Sequence, residues 1–367
     1  MRSGASLPLP SRKYRIKTFL LSSARRVGEA GDLKDSSENR ILIVDGGGTK
    51  TSAFLVRLGP ADHVDVVASI RAGPANPVSV GWEVAEQNLR QAFEGLLGRS
   101  SPGTSSTLKV NYAVLAIAGT GREEVRSRMG AWFANLAIAE RFCLLPDVAL
   151  LVAGIGDQGV GIALVAGTGS IAWGINSTGQ VARTGGWGFF LDDVGGGYWL
   201  GRQALQAVVR AADGRGQESS LTPSILKHFG LRQVEELVPL SSRLASKPIL
   251  VAQLAPIVLQ CSSQGDPVAL NIVDRASNHL VEMVRCTARK LGWEAGGFPL
   301  ALGGGLLEHS EELRQKVLKG LEAKNCPPAT AALVDPVTAA ARLVGHALAK
   351  EDWPHWKNVY WKGHPKI

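Results

Sequence analysis

The sequence has no closely spaced pair of cysteines. Its four cysteines lie far apart along 367 residues, and no CxxC or paired Cys/His spacing occurs. Structural zinc and iron–sulfur clusters need short, regular ligand spacings, so neither is expected. We expect buried free thiols, typical of a reducing compartment. The positions are Cys143, Cys261, Cys286 and Cys326.

Long apolar runs are missing as well. None reaches the roughly 18 residues of a transmembrane helix. The most apolar segment, 143–166, is interrupted by Pro146, Asp147 and Asp157, and we interpret it as a helix followed by a strand. No membrane partner is therefore expected. An apolar fraction of 45% and a charged fraction of 20% are those of an ordinary globular protein. The length suits two domains or one large α/β unit.

Acidic residues are absent from the first 28 positions. This segment carries seven Lys and Arg residues, and without them the net charge of +8 falls to +1. A nearly neutral body does not support a nucleic-acid partner. The Arg- and Ser-rich extension fits either a disordered tail (or a misassigned start) or a mitochondrial presequence. Its weak amphipathicity favours the tail, and so a cytoplasmic protein, with a mitochondrial location as the alternative.

Two common nucleotide-binding turns are also absent. The chain has no GxxxxGK[ST] motif and no GxGxxG turn leading from a strand into a helix. It has instead three glycine clusters at the ends of strand-like segments, at 46–48, 167–169 and 303–305. The first two lie between strands, and the third precedes a helix. Two facing hairpins of this kind can hold the β- and γ-phosphates from opposite sides, with the third cluster under the adenine.

The most informative segment is ILIVDGGGTKT at 41–51. Four apolar residues predict a buried strand that ends on Asp45. Glycines permit a tight turn and leave backbone N–H groups open to anionic oxygens. A carboxylate at the tip of such a turn is well placed to hold a hydrated Mg²⁺ ion. Three glycines alone are more often an ordinary hairpin turn, and the two further clusters favour the phosphate site.

The remaining pattern alternates strands and helices. A strand–GTGS–strand block repeats the strand–GGGT–strand block in type, and Asp266 before Pro267 predicts a capped helix start. A Ser/Pro/Gly loop is predicted at 100–106, and the aromatic, basic tail is interpreted as a strap on the body. We predict strands at 41–45, 52–57, 64–70, 110–117, 142–145, 160–165, 171–175 and 298–302, and helices at 83–97, 123–136, 148–153, 267–291, 311–321 and 337–348.

Several ordered motifs together resemble one family. DGGGTKT at 45–51, AGTGS at 166–170, GGWG at 185–188 and the glycines at 303–305 are similar to those of the N-acetylglucosamine kinase/BadF–BadG-type ATPase family, in the actin-like ATPase superfamily. QGDP at 264–267 and PVTAA at 336–340 fit it in position. The resemblance implies an α/β fold with two actin-like ATPase (RNase H-like) domains and an interdomain nucleotide and sugar cleft. The implied domains are 39–157 with 336–350, and 158–335, between an extension at 1–38 and a tail at 351–367.

The resemblance also implies ligands and residue roles. ATP and Mg²⁺ would be the cofactors, an amino sugar the acceptor and a homodimer the assembly. Asp45 would hold Mg²⁺ through water, Asp147 would be the general base and Asn76 would contact the sugar. Phosphates would be bound by Gly47, Gly48, Thr49 and Lys50 in the first hairpin and by Gly167, Thr168 and Gly169 in the second. The sugar pocket would be lined by Ser170, Gly186, Trp187 and Asp193, and the adenosine would lie against Gly304 and Gly305.

Each of these residues also has an ordinary interpretation. Asp147 could simply be a helix N-cap, Asp193 a loop acid and a lone Trp187 a core residue. The chemistry nevertheless makes independent sense. Phosphoryl transfer needs positioning and charge neutralisation, and an aspartate at the start of a helix can accept a proton from a sugar hydroxyl.

The chain departs from the family pattern at three positions. The family usually has Asn before the base and Glu after the pocket Asp, where this chain has Pro146 and Val194, and Asp192 replaces a usual Gly. These changes affect the predicted sugar specificity. We favour a kinase of N-acetyl-D-glucosamine acting on O6. The alternatives are a glucosamine kinase, an activator ATPase of a radical dehydratase, which needs clustered cysteines, and a sugar-sensing pseudokinase.

Overall fold

The computed structural model describes residues 17–19, 40–58, 64–98, 109–155, 159–348, 356 and 361–363. They form two six-stranded β-sheets with helices packed on them. The strands are β1 (Lys17–Phe19), β2 (Arg40–Gly46), β3 (Thr51–Leu58), β4 (Val64–Ala72), β5 (Val110–Ile117), β6 (Ala139–Leu145), β7 (Gly161–Ala166), β8 (Ser170–Ile175), β9 (Val181–Gly185), β10 (Pro299–Gly303), β11 (Thr330–Val334) and β12 (Trp361–Gly363).

The helices follow the same chain order. Among the described residues, four helices precede β7 and nine follow it, and a 3₁₀ turn covers Val234–Glu236. They are α1 (Pro77–Val80), α2 (Trp82–Leu97), α3 (Glu123–Leu136), α4 (Asp147–Ile155), α5 (Gly197–Ala212), α6 (Leu221–Phe229), α7 (Leu237–Ser246), α8 (Pro248–Ala252), α9 (Ala255–Ser263), α10 (Pro267–Lys290), α11 (Gly305–His309), α12 (Glu311–Ala323) and α13 (Pro336–Leu348).

The first sheet has the strand order β12-β6-β5-β2-β3-β4. β2, β3 and β4 form the predicted antiparallel meander, while β5 pairs parallel to β2 and β6 parallel to β5. α2 and α3 cover one face, where the ring of Phe133 lies 5.6 Å from Phe93 and 4.8 Å from Phe142, centroid to centroid. Because β2 is central and its apolar residues are fully buried, Asp45 lies near the middle of one sheet edge.

The second sheet has the strand order β1-β11-β10-β7-β8-β9. β7, β8 and β9 form an antiparallel meander, and β10 pairs parallel to β7. The long helix α10 packs on β8 and β9. It begins as predicted, because the Asp266 carboxylate accepts hydrogen bonds from the backbone N–H groups of Val268 at 3.0 Å and Ala269 at 2.9 Å.

Helices α4 and α13 form a layer between the two sheets. Residues Val148 to Gly154 of α4 are all buried, and the helix contacts strands of both sheets. Arg342 of α13 donates from Nη1 to the carbonyl of Gly154, with an N–O distance of 2.9 Å. α13 also contacts β2 and β5, so this helix returns to the first sheet.

Trp356 packs into the same layer. It is fully buried, its Nε1 donates to the Gly159 carbonyl at 2.7 Å, and its ring centroid lies 6.4 Å from that of Trp173. The predicted packing of the tail on the body is therefore observed at Trp356. The tail aromatics Trp353 and Tyr360 lie outside the described residues.

Most predicted elements are present, with ends shifted by a few residues. Strands β1, β9, β11 and β12 and helices α1, α5–α9 and α11 were not predicted individually. Cys143, Cys261 and Cys326 are buried free thiols, but the prediction is wrong for Cys286, which is partly exposed on the outer side of α10. The predicted loop at 100–106 and nearly all of the 1–38 extension lie outside the described residues, although Lys17–Phe19 forms an edge strand beside β11.

None of the described helices is, on its own, long and apolar enough to cross a membrane. One pair of helices joined at a bend, Val234–Ser246 with Pro248–Ser263, has the length and apolar composition of a membrane span, by those two measures alone.

Candidate active site

The first glycine hairpin joins β2 to β3 and presents an exposed tip. Gly48, Thr49 and Lys50 are exposed, and the turn is closed by a hydrogen bond from Gly47 N to the Lys50 carbonyl at 2.9 Å. The Gly47 carbonyl accepts a hydrogen bond from Ala75 N at 3.1 Å. The hairpin is thereby tied to the segment that carries Asn76.

The second hairpin joins β7 to β8 and rests on the start of α5. Gly197 N donates to the Gly167 carbonyl at 2.7 Å, and Tyr198 N donates to the Thr168 carbonyl at 2.9 Å. A Cβ atom on Gly196 would lie only 2.6 Å from the carbonyl carbon of Gly169. The glycines that open α5 therefore allow the helix to support this hairpin directly.

Substituting Gly196 with alanine tests that support. The backbone of Gly196 has φ −80°, which alanine adopts freely, so the effect would come from the clash with Gly169 alone. We expect the KM for MgATP to rise about tenfold, because overpacking displaces the hairpin. The matched control is Gly216→Ala, beyond the other end of α5, where the added Cβ would meet Arg210 at 3.1 Å and kinetics should not change. Steady-state kinetics decide, and equal behaviour of the two variants would contradict the prediction.

The third glycine cluster ends β10 and lies beside the second hairpin. Gly304 has φ +87°, and a Cβ there would lie 2.5 Å from the Ala166 carbonyl oxygen. Only glycine satisfies both conditions. A Cβ on Gly167 would lie 4.0 Å from Gly305 N, whereas Gly305 itself has open space around it. Gly305 thus offers a free surface next to the second hairpin, where a flat ligand such as adenosine fits.

Four carboxylates from both sheets converge near the first hairpin. Burial and the nearby charges of Asp147, Glu308 and Asp335 together raise the pKa of Asp45 to about 7, and the charge of Lys50 opposes them. Glu308 accepts a hydrogen bond from Gly304 N at 3.1 Å, and Asp335 accepts one from Thr338 N at 2.8 Å. Glu308 and Asp335 therefore already accept backbone hydrogen bonds at the starts of α11 and α13.

The donor set fits a metal ion that brings other ligands with it. Within the described ranges, no group of three or more His, Cys, Asp or Glu side chains could hold a metal. Mg²⁺ normally keeps several waters and binds through one or two carboxylates and substrate phosphates. Asp45, at the base of the first glycine hairpin with its exposed tip, would suit a hydrated Mg²⁺ bound together with ATP.

Asp147 begins α4 directly after β6. Burial raises its pKa, and the backbone N–H of Val148 partly opposes this. The side chain is positioned as the first helical residue, one place beyond an N-cap. A carboxylate with a raised pKa is a stronger base than an ordinary aspartate, so it suits proton abstraction.

Asn76 caps α1 on the first-sheet side. Its Oδ1 accepts a hydrogen bond from Val78 N at 3.0 Å, and a Cβ on Gly119 would lie 2.5 Å from the same oxygen. Among the described residues, none accepts a hydrogen bond from the Asn76 amide nitrogen, so this group can donate to a ligand. The hydrogen bond at Oδ1 thus orients the Asn76 amide nitrogen, the group that the family resemblance assigned to sugar binding.

A substrate loop, defined here as residues 186–193, leads from β9 towards α5. Asp193 has φ +54°, which is unusual for a residue other than glycine. Its Oδ1 accepts a hydrogen bond from Gly188 N at 3.1 Å, and a Cβ on Gly169 would lie 2.2 Å from Oδ2. Burial raises the pKa of Asp193, and the Gly188 hydrogen bond opposes this. Asp193 therefore closes the loop and connects it to the second hairpin.

The other predicted pocket residues behave differently. Ser170 is buried, and its hydroxyl donates to the Val194 carbonyl at 2.7 Å, so this donor is already used. Gly186 N donates to the Ser170 carbonyl at 2.9 Å. Trp187 is 62% exposed, which excludes the alternative of a core residue. Ser170 and Gly186 thus shape the loop, whereas Trp187 and Asp193 can face a ligand.

The structure brings together residues that are distant in the sequence. Asp45 and Asp147 interact electrostatically across the first sheet, and the second hairpin, the Gly303–Gly305 loop and Asp193 adjoin on the second. Sequence reasoning missed Glu308 and Asp335 near Asp45. Asp335 had a usable signal, since it precedes Pro336 as a helix start. Glu308, on a five-residue helix, had none.

Comparison with known proteins accounts for this arrangement of hairpins and acids. The sequence pattern of the BadF/BadG/BcrA/BcrD ATPase family matches residues 44–341. The chain belongs to this family. The matched segment includes both hairpins, the Gly303–Gly305 loop and all four acids. The family predicted from the sequence motifs is confirmed.

Members similar to this chain carry kinase names. N-acetylmuramic acid/N-acetylglucosamine kinase of Clostridium acetobutylicum is 28% identical over 281 residues, which cover 77% of this chain and 90% of that protein. N-acetyl-D-glucosamine kinase of Dictyostelium discoideum is 28% identical over 295 residues, covering 77% and 91%. A solved structure from Chromobacterium violaceum, assigned as an N-acetylglucosamine kinase, aligns with TM-score 0.61 and 25% identity, covering 84% of this chain and 99% of that one. The predicted two-domain actin-like α/β fold of this ATPase family is thereby confirmed.

Proposed function

We propose that this protein is an ATP-dependent amino-sugar kinase that converts N-acetyl-D-glucosamine to N-acetyl-D-glucosamine 6-phosphate. The observation that carries the proposal is the pair Asp45 and Asp147. Asp45 ends β2 at the first glycine hairpin and interacts electrostatically with Asp147 at the start of α4, and burial raises the pKa of both. A metal-binding carboxylate beside a proton acceptor suits phosphoryl transfer to a hydroxyl.

Each residue has a defined task in this reaction. Backbone N–H groups of both hairpins that the turns leave unused, together with the Lys50 ammonium, hold the phosphates. Asp45 holds Mg²⁺ through water, and the ion neutralises charge on the phosphate oxygens. Asp147 accepts the proton of the acceptor hydroxyl as the bond to phosphorus forms. Asn76 on one side and Asp193 and Trp187 on the other orient the sugar.

The names of similar proteins support an amino sugar as the acceptor. N-acetylglucosamine is named for both relatives described above. Glucosamine is the second candidate, because Asp192 lies close enough to Asp193 to raise its pKa, and two adjacent carboxylates favour a free ammonium group. Val194, where the family usually has glutamate, leaves that position without a carboxylate, while Asp192 adds one nearby.

A coupled ATP-consumption assay on N-acetylglucosamine, glucosamine, N-acetylmannosamine and glucose tests the proposal. We expect the highest kcat/KM with N-acetylglucosamine and a product phosphorylated at O6, located by NMR. A higher value for glucosamine would support the second candidate. Binding of ATP and sugar without product would instead indicate a pseudokinase and would contradict the proposal. The oligomeric state, predicted as a homodimer, stays a prediction that light scattering tests.

A further inference from the structure

Arg183 of β9 lies directly against the substrate loop. Its guanidinium carbon is 4.6 Å from the centroid of the Trp187 ring. Arg183 is paired with Trp173 of β8, and Trp173 belongs to the buried layer between the two sheets. Residues directly opposite in an antiparallel pair lie on the same face of the sheet. Arg183 therefore extends from the face that is turned towards the first sheet.

The backbone of Arg183 is anchored from the opposite face. Lys290 of α10 donates from Nζ to the Arg183 carbonyl at 2.9 Å, and Thr287 donates to Thr184 Oγ1 at 3.0 Å. A fixed backbone limits the positions that the long arginine side chain can reach. The guanidinium that contacts the Trp187 indole therefore belongs to a residue whose backbone is fixed to α10.

The Trp187 ring has one face covered and one face free. The guanidinium covers one face, yet the residue is 62% exposed, which leaves the other face accessible. The neighbouring Phe189 is turned away, with its ring centroid 4.9 Å from that of Tyr198 on α5. Indole faces are apolar and match the C–H face of a pyranose ring. The free face thus suits the acceptor sugar.

We propose that Arg183 is a positioning residue for the acceptor sugar: it holds the Trp187 indole so that the free face stacks on the pyranose ring. The inference rests on the proposed function, because it assigns a sugar to this loop. The same guanidinium is also close enough to Asp193 to lower the pKa of that carboxyl against the effect of burial.

The test is a kinetic comparison of Arg183→Met with wild type. We expect the KM for N-acetylglucosamine to rise about threefold to thirtyfold, the range of a cation–π contact, while kcat and the KM for MgATP change less than about twofold. Arg183→Lys keeps the charge but loses the planar stack, so its KM should be intermediate. The matched control is Arg275→Met, which removes an arginine 5.2 Å from the Trp199 ring in the same domain and should leave both KM values unchanged.

A double-mutant cycle distinguishes positioning from a general structural role. If Arg183 acts through Trp187, then Arg183→Met in a Trp187→Ala background should change the sugar KM by less than about twofold. A full effect in that background, an equal rise in both KM values, or behaviour identical to the Arg275 control would overturn the inference. If wild type phosphorylates no sugar, the proposed function fails. If wild type is active and these results appear, only the role of Arg183 fails.

Discussion

Replacing Asp147 with asparagine is expected to lower kcat by about 10²- to 10⁴-fold, the usual contribution of a general base. Asparagine keeps the shape of the side chain at the start of α4 but cannot accept a proton. The affinities for sugar and MgATP should therefore change less than about threefold. Stopped assays for kcat and calorimetry for binding give the two quantities. The matched control is Asp274→Asn, an exposed aspartate paired with Lys316 on α10 and α12.

The pH–rate profile gives a second test of the same role. Because burial raises the pKa of Asp147, the base becomes protonated at a higher pH than an ordinary aspartate would. We expect the acidic limb of kcat/KM to lie above pH 4, the region where aspartates usually titrate. Turnover that survives in Asp147→Asn, or an acidic limb at the ordinary position, would show that another group removes the proton.

Replacing Asp45 with asparagine is expected to have opposite effects on activity and stability. Activity with MgATP should fall about 100-fold or more, because the side chain no longer neutralises or orients the hydrated ion. Stability of the apoprotein should rise at pH 8, with a melting temperature higher by about 3 °C or more. The reason is that the folded state holds a carboxylate whose pKa is about 7, among other acids.

The sign of the stability effect follows from linkage. A carboxyl group with a raised folded pKa favours the protonated form, so its contribution is retained below the unfolded value near 4 and is lost as the pH rises through about 7. Asparagine does not titrate. The difference in melting temperature between Asp45→Asn and wild type should therefore grow from pH 4 to pH 8. Differential scanning fluorimetry in EDTA without nucleotide measures it, and a difference that shrinks with pH would contradict the assigned environment.

Local sequence signals predicted the parts of the site that depend on residues close together in the sequence. The run Ile41–Val44 followed by glycines predicted a buried strand and a hairpin, and Asp266 with Pro267 predicted the start of α10. Strands β9 and β11 were missed for a local reason as well. β9 (VARTG) carries Arg and Gly without a clear alternation, and β11 has five residues close to a helix start.

Trp187 shows how the tertiary structure overrides a local expectation. A lone tryptophan is usually buried, yet Trp187 is exposed. Its loop follows β9 and is closed by Asp193, which has a left-handed backbone conformation and accepts a hydrogen bond from Gly188 N. The neighbouring Phe190 and Leu191 are 87% and 73% exposed for the same reason. Arg183, four residues earlier, carried no motif. Its contact with Trp187 depends on the return of the chain after β9.

The sequence by itself determined the family, the two hairpins and the acids at their ends, because strands, turns and caps depend on residues within a few positions of one another. Only the tertiary structure decided which acids interact, which donors remain free and which side chains face a ligand. Charge interactions and desolvation depend on distances in space. Asp45 and Asp147 come close because β2, β5 and β6 are neighbours in one sheet, and that neighbourhood arises from the packing of the whole domain.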